Sequence, residues 1–437
     1  MTKEPHNGQL DYQSIAAWLT TGFFLSDTHF FSNSKYQHSE FGPDISWHCS
    51  PRQISFSDVL NNFSDLFESL IEKNTIGVDI ILPLSGGLDS RTLAAALKGR
   101  KDVVAVSYEF ENGVRETEYA RQIAGACGWE FHAYTIPRGY LWRKLDELAD
   151  INQCQTEFTH PRQMAIIDKI SQYGDLILSG QWGDVLFDVP GIDDEADLDE
   201  QTHFTIKKIA KPGGMELASE LWKYWEMERG FKENFYETIQ KLLLDIDIAN
   251  PNSRVRAFKS LHWAPRWANI NLKVFTSRRD MFIPYYHDEM CKFICMVPEE
   301  FLSGRNIQIE YIKRQAPELA RIPWQAYDLD LYNYQHFNTI YFPRRVYRYA
   351  RRIIREKIIR IPAMIQRNWE LQFIGKENEQ HLERWLFETP ELDELVPKQI
   401  IQDFYYRFKN IDPVKYSHPV SMLLTLAVWC KRFWKKV

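Results

Sequence analysis

The stretch that decides the fold is VDIILPLSGGLDSRTLAAALK, residues 78–98. Residues 78–84 form a run of strand length that is apolar except for Asp79, and residues 85–90 form a loop rich in Gly and Ser. Residues 91–98 have the composition of a helix, which Gly99 ends. Apolar runs of this length between turn signals are typical of buried strands. The stretch therefore predicts a strand, a tight loop and a helix in direct succession.

The pattern continues on the C-terminal side of this unit. Apolar runs of strand length follow at 103–107, 131–136 and 176–179, with helical patterns at 116–126 and 161–172 between them. Strands that alternate with helices form βαβ units, so we predict an α/β fold with a doubly wound parallel sheet. Beyond about residue 195 strand signals thin out, and helical patterns dominate at 215–245, 253–275, 286–297, 305–316 and from 343 to the end.

The loop 85–90, SGGLDS, has the properties of a phosphate-binding site. Glycines let the backbone turn sharply and approach an anion, and the following helix N-terminus favours negative charge. The lysine of the GxxxxGK[ST] loop is missing, so this is not a Walker A motif. Asp89 would repel a nucleotide unless a cation lay between them, so we predict bound Mg²⁺ at this carboxylate.

Two motifs resemble a known family. Residues 85–90 match SGGxDS, the pyrophosphate-loop signature of enzymes that cleave ATP between its α- and β-phosphates. The loop 179–184, SGQWGD, resembles the SGEGxDE segment of asparagine synthetases, and 281–288, MFIPYYHD, resembles their V-R-x-P-F-L-D stretch. Over roughly residues 55–437 the chain resembles the synthetase half of these enzymes. The resemblance implies the adenine-nucleotide α-hydrolase type of sheet with a large helical C-terminal part.

The resemblance also implies a set of site residues. Asp184 would share Mg²⁺ with Asp89, and the ends of the second and fourth strands would contact the nucleotide. The implied ATP-binding residues are Leu84, Ser85, Gly86, Gly87, Leu88, Asp89, Ser90, Tyr108, Glu109, Ser179 and Gly180.

The sequence departs from the family at three positions. The catalytic Glu of the second loop is replaced by Gln181, which cannot act as a base. The segment 321–325 offers no match for the lysine that meets the pyrophosphate, and Glu157 stands where an arginine is expected before Pro161. We predict Gln181 and Arg91 as the catalytic residues, with Arg278 or Arg279 as further cations that could compensate.

The chain is expected to contain an N-terminal segment (1–70), an ATP pyrophosphatase domain (71–330) and a helical extension (331–437). The N-terminal segment resembles only the end of a glutaminase domain. Thr2 follows Met1, and 84 residues precede the phosphate loop, so no glutaminase is expected. Nitrogen would then come from free ammonia, from a separate glutaminase subunit or from an amine on the substrate.

Composition limits the partners and the location. The net charge of −6 argues against nucleic acid, and the start lacks a signal-peptide pattern, so we expect a cytoplasmic protein. Cys291 and Cys295 are predicted as buried thiols rather than a zinc site. The arginine-rich segment 344–360 indicates either peripheral contact with an anionic membrane or phosphorylated substrate, or a helix that packs by its isoleucines.

These observations lead to an expected function. We predict an ATP-dependent, amide-forming ligase that adenylates a small-molecule or peptide carboxylate, releases pyrophosphate and transfers the acyl group to ammonia or an amine. The candidate substrates are a uronic acid of a surface polysaccharide, a peptide carboxylate as in lasso-peptide cyclisation, and aspartate. The alternatives are another pyrophosphate-loop reaction such as tRNA base modification, and a non-catalytic nucleotide-binding subunit.

Overall fold

A computed structural model describes residues 8–34, 42–342 and 364–434. Its centre is a sheet of five parallel strands in the order β3-β2-β1-β4-β5. The strands are β1 (Ile80–Pro83), β2 (Val103–Phe110), β3 (Glu130–Ile136), β4 (Leu176–Leu178) and β5 (Asp280–Phe282). The α/β class and the parallel, helix-flanked sheet are confirmed.

The register explains why β1 lies at the centre. Ile81 pairs with Val104 of β2 on one side and with Ile177 of β4 on the other. The apolar residues Ile80, Ile81 and Leu82 are fully buried, as a central parallel strand requires. Strand order reverses between β1 and β4, because β2 and β3 extend from one side of β1 only. Ligands of such sheets bind at this switch point, outside the carboxyl ends of the strands.

Helices surround the sheet. Those of the first part of the chain are α1 (Tyr12–Thr21), α2 (Phe56–Asn74), α3 (Leu88–Ala96), α4 (Glu116–Cys127), α5 (Tyr140–Asn152), α6 (Ile167–Ile170), α7 (Gly183–Leu186) and α8 (Leu198–Ile209). They are followed by α9 (Gly214–Tyr224), α10 (Phe231–Leu244), α11 (Pro251–Phe258), α12 (Asn269–Thr276), α13 (Asp288–Ile294), α14 (Glu299–Leu302), α15 (Asn306–Gln315) and α16 (Pro317–Ala320).

The remaining helices are short or lie near the C-terminus. In the described part of the chain, 3-10 segments span Arg162–Ala165, Pro284–Tyr286, Ser303–Arg305 and Tyr334–Asn338, and π-helices span Lys259–Ala268 and Cys430–Trp434. Within residues 364–434 the α-helices are Asn368–Phe373, Lys376–Phe387, Pro390–Asp393, Lys398–Asn410 and Pro413–Trp429. Among the helices that the structure describes, none is long and apolar enough to cross a membrane.

Several predicted elements are corrected. The helix predicted at 161–172 is wrong: a 3-10 turn, Arg162–Ala165, and the short α6 occupy this region, because Ile166 leaves helical geometry (φ −133°) between them. The helix predicted at 253–275 is interrupted by the π-helix Lys259–Ala268, in which Pro265 cannot donate a backbone hydrogen bond. Strand β5 was missed, because its residues, which are exposed or half-buried and begin with Asp280, form no apolar run.

Residues 8–34 pack against the C-terminal helices. The Trp18 indole donates a hydrogen bond to the Gln155 carbonyl oxygen (2.8 Å), and the Phe30 ring stacks on Trp429 with centroids 4.0 Å apart. Trp18, Phe30 and Trp429 all belong to the same buried hydrophobic core. The division at residues 70 and 330 stays a prediction. The arginine-rich segment 344–360 lies outside the described residues, and Cys291 and Cys295 are buried thiols as predicted.

Candidate functional site

The loop between β1 and α3 is held by its own hydroxyl groups. The Ser85 N–H donates to Ser90 Oγ (3.1 Å), and the Gly87 N–H donates to Ser85 Oγ (3.2 Å). Helix α3 then begins at Leu88 without a side-chain cap. The N–H groups of an uncapped first turn carry partial positive charge and are suited to an anion.

Gly86 allows a close approach from the segment that lacks the expected lysine. A Cβ at Gly86 would lie 2.6 Å from the Gln325 Cβ, and the Gln325 N–H donates to the Gly86 carbonyl oxygen (3.2 Å). The segment 321–325 therefore closes over the phosphate loop with a neutral side chain. No cation from this segment replaces the missing lysine at the point of contact.

The loop after β4 lies directly against the phosphate loop. A Cβ at Gly180 would be 3.0 Å from the Ser90 backbone nitrogen, and one at Gly183 would be 2.6 Å from the Asp89 Cγ. Only glycine fits at these two positions without movement. The two glycines thus bring Ser179, which is buried, beside the start of α3.

Trp182 has a left-handed backbone (φ 74°), which is rare for a bulky residue. The SGEGxDE pattern has glycine at this place, so the backbone turn is kept although its usual residue is absent. The indole N–H donates to Ser260 Oγ (3.4 Å), and the ring packs on Tyr286 with centroids 5.5 Å apart. These contacts offset the strain and place an indole at the wall of the site.

A cavity of about 310 Å³ opens where the two loops meet. Most of the predicted site residues line it: Leu84, Ser85, Asp89, Ser90, Tyr108, Ser179, Gly180, Gln181 and Asp184. Gly86, Gly87 and Leu88 shape the loop from behind, and Leu88 is fully buried. Glu109 follows Tyr108 in β2 and does not line this cavity. Its carboxylate accepts a hydrogen bond from the Thr117 hydroxyl (2.6 Å).

Sequence reasoning missed the cation of this cavity. Arg162 lines it, and the guanidinium carbon lies 5.6 Å from the Tyr108 ring centroid and 5.2 Å from that of Phe110. The position directly follows Pro161, close to where the family pattern calls for an arginine. Glu157, which seemed to replace that arginine, has a structural role, because its carboxylate accepts hydrogen bonds from Thr159 and Ser421.

The predictions for three other arginines are corrected. Arg91 is fully buried, and its guanidinium donates to the carbonyl oxygens of Ile322 (2.7 Å) and Pro323 (2.8 Å); burial lowers its pKa to about 10. It holds the segment above the phosphate loop and does not line the cavity. Arg278 pairs with Asp168 and Glu147, and Arg279 donates to the Gly174 carbonyl oxygen, so neither compensates at the site.

The two predicted metal ligands differ in their surroundings. Asp184 is exposed to the cavity. The Oδ1 atom of Asp89 already accepts hydrogen bonds from the Arg305 guanidinium and from Gln308 Nε2 (3.0 Å). Within the described part of the chain no cluster of three or more His, Cys, Asp or Glu side chains could hold a metal ion. Asp89 thus has a guanidinium partner, whereas the Asp184 carboxylate is exposed.

A second cavity of about 370 Å³ adjoins the first. The two share six lining residues: Tyr108, Arg162, Gln181, Trp182, Asp184 and Phe275. The other walls come largely from the π-helix and include Lys259, Trp263 and Trp267. Burial lowers the pKa of the Lys259 ammonium, and the nearby Asp184 charge acts against that lowering. This cavity combines flat aromatic faces with a cation.

A parallel sheet whose switch point carries a Ser/Gly loop and an uncapped helix start defines a nucleotide-binding α/β protein of the pyrophosphate-loop type. Residues 70–272 match the model of the family described as asparagine synthase. Enzymes of this family use ATP, and the match supports an ATP-dependent ligase of the pyrophosphate-loop type.

The other comparisons add little. The chain is similar to the solved structure of NMN synthetase from Francisella tularensis, with 13% sequence identity over 47% of this chain and 93% of that one. The TM-score of 0.23 is too low for that likeness to support an inference. No curated protein matches the chain.

Proposed function

We propose that the protein adenylates a carboxylate and converts it to an amide. The carboxylate oxygen attacks the α-phosphorus of ATP, the bond to the β-phosphate oxygen breaks, and pyrophosphate leaves. An amine or ammonia then attacks the acyl carbon and expels AMP. The observation that carries this proposal is the shared wall of the two cavities, where Gln181 and Asp184 line both the cavity at the phosphate loop and the aromatic cavity.

The phosphate loop would bind the departing pyrophosphate. Hydrogen-bond donors face this cavity: the hydroxyls of Ser85 and Ser90, and the free N–H groups at the start of α3. Preorganised donors of this kind stabilise charge that develops during the reaction. Bound Mg²⁺, which Asp184 would hold, supplies further positive charge to the phosphates. Arg162 is placed to bind the anionic substrate or phosphate at the junction of the two cavities.

Gln181 would orient the attacking amine. The side chain is exposed to both cavities, and its neutral amide can accept a hydrogen bond from an N–H group without removing a proton. A substrate that already carries an unprotonated amine needs no base at this point. This favours an enzyme specialised away from the family's usual glutamate-assisted step.

The carboxylate substrate is proposed to contain a ring. Trp263 and Trp267 form a T-shaped pair with centroids 5.8 Å apart, and the His160 ring lies 4.0 Å from Trp267. Aromatic faces of this kind pack against the apolar face of a sugar or another ring, while Lys259 can pair with an anionic group. Among the candidates a uronic acid of a surface polysaccharide fits best, ahead of a peptide carboxylate and aspartate. We place the reaction in the cytoplasm, with a separate glutaminase subunit as one possible nitrogen source.

ATP–pyrophosphate exchange tests this function. Purified protein is incubated with labelled pyrophosphate, ATP, Mg²⁺ and one carboxylate at a time: a hexuronic acid, a peptide with a free carboxylate, or aspartate. We expect label to enter ATP with the ring-bearing acid, and Asp184→Asn to abolish the signal. Arg279→Gln is the control. Arg279 is an exposed arginine that donates to the Gly174 carbonyl oxygen, and its substitution should leave exchange unchanged.

A non-catalytic nucleotide-binding subunit is the second candidate. The neutral Gln181 and Gln325 at places where the family has charged residues favour it. The protein would then bind a non-hydrolysable ATP analogue but catalyse no exchange with any of the carboxylates. Binding without exchange across the whole panel would replace the ligase proposal with this one.

A further inference from the structure

The carboxylate of the phosphate loop has a partner that the sequence pattern does not contain. Asp89 Oδ1 accepts hydrogen bonds from the Arg305 guanidinium and from Gln308 Nε2 (3.0 Å). The side chains of Asp89 and Arg305 are 24% and 13% exposed, so the pair is largely withdrawn from water. A guanidinium in this setting neutralises the carboxylate directly, which is the role that a metal ion would otherwise have.

The backbone around Arg305 is built to direct the guanidinium at Asp89. Gly304 and Arg305 both adopt left-handed geometry (φ 65° and 61°), which a residue such as arginine rarely adopts. The Gly304 N–H donates to Asp188 Oδ1 (3.1 Å), which ties this turn to the segment that follows α7. Such backbone geometry persists only where the surroundings hold it in place.

The guanidinium itself is fixed from a second side. Arg305 Nε donates to Gln308 Oε1 (2.9 Å), while the amide nitrogen of the same Gln308 donates to Asp89 Oδ1 and to the Tyr285 hydroxyl (3.1 Å). Arg305, Gln308 and Asp89 therefore form a closed set of hydrogen bonds. A long surface arginine that met Asp89 by chance would lack this support.

We propose that Arg305 is the permanent counter-ion of Asp89 and takes the place of a divalent ion there. Of the carboxylates on the two loops, Asp184, exposed in the same cavity, is then the one left to hold Mg²⁺ beside the phosphates. The proposal rests on the proposed function as far as nucleotide binding is concerned. It corrects the expectation that Asp89 and Asp184 share the metal, and makes Arg305 a positioning residue of the phosphate loop.

Counting bound Mn²⁺ tests the proposal. The full chain is saturated with a non-hydrolysable ATP analogue, and bound Mn²⁺ is counted by electron paramagnetic resonance. We expect one ion per chain in the wild type, two in Arg305→Gln, where Asp89 is released, and one again in Arg305→Gln with Asp89→Asn. Arg314→Gln makes the same change on α15 at an exposed residue that donates to Asn61, and should leave the count at one. Two ions in the wild type, or one in Arg305→Gln, would overturn the proposal.

Thermal unfolding without nucleotide provides an independent readout. Arg305→Gln leaves a partly buried carboxylate unpaired, so its midpoint should fall below that of the wild type in the presence of a chelator. Excess Mg²⁺ should restore most of the loss, because the ion can now occupy the guanidinium's place. No loss, or a loss that Mg²⁺ does not restore, would contradict the counter-ion role. Failure of the ATP analogue to bind the wild type would refute the proposed function instead, and the unfolding experiment would still decide this inference.

Discussion

Replacing Gly183 with alanine probes the contact between the two loops. A Cβ at this position would lie 2.6 Å from the Asp89 Cγ and closer still to Oδ1. The carboxylate cannot turn aside freely, because Oδ1 is hydrogen-bonded to Arg305 and Gln308. The added methyl group must therefore break these bonds or push the loops apart.

The size of the effect follows from these alternatives. A hydrogen bond to a charged group contributes about 1.5–3 kcal/mol, and overpacking in a tight contact costs about 1–3 kcal/mol. We expect a loss of about 3 kcal/mol in nucleotide binding, which corresponds to roughly a hundredfold weaker affinity. The measurement is a calorimetric titration with a non-hydrolysable ATP analogue, together with the thermal midpoint, which should also fall.

Gly125 provides the matched control. It lies on the exposed side of α4, and a Cβ there would meet nothing within 4 Å. Gly125→Ala should leave nucleotide affinity unchanged and should stabilise the fold by up to about 1 kcal/mol, because alanine favours the helix. Wild-type affinity in Gly183→Ala would refute the reasoning, since it would mean that the two loops do not hold each other in place.

Three further predictions concern the site and the core. Gln181→Glu should still bind ATP but should release no pyrophosphate when aspartate is the substrate, because the aromatic cavity is unsuited to aspartate. If the variant formed asparagine from aspartate and ammonia, the chain would instead be a degraded asparagine synthetase. Lys259→Met should raise the KM of the carboxylate roughly tenfold, a loss of about 1.4 kcal/mol, and leave ATP-analogue affinity unchanged; an equal loss of both would place Lys259 at the nucleotide. His418 has its pKa lowered to about 3 by burial, so the unfolded state binds the proton more readily and stability should fall as the pH drops from about 6.5 toward 3. In urea unfolding at pH 5, His418→Gln should remove up to about 2 kcal/mol of the acid-dependent loss in the free energy of unfolding. An unchanged dependence of stability on pH would contradict this assignment.

The local sequence determined the sheet and its loops. The run 78–98 predicted β1, the phosphate loop and α3, because a buried parallel strand is rich in apolar residues and an anion-binding loop at a helix start is rich in glycines and hydroxyls. The loop 179–184 was found by its resemblance to the SGEGxDE segment of asparagine synthetases, and the structure brings it against the first loop. Patterns of this kind extend over a few residues, so they can be recognised without knowledge of the tertiary packing.

Tertiary structure alone decided which cations and walls complete the site. Arg305 lies 216 residues from its partner Asp89, and no periodicity or composition links positions so far apart. Arg91 is close to the phosphate loop in sequence yet directs its guanidinium toward buried carbonyl oxygens, while Arg162 reaches the cavity from another segment. The aromatic wall depends on the π-helix Lys259–Ala268, which a helical pattern does not distinguish from an α-helix. Charge pairing and side-chain direction depend on how distant segments pack, and the sequence pattern contains no record of that packing.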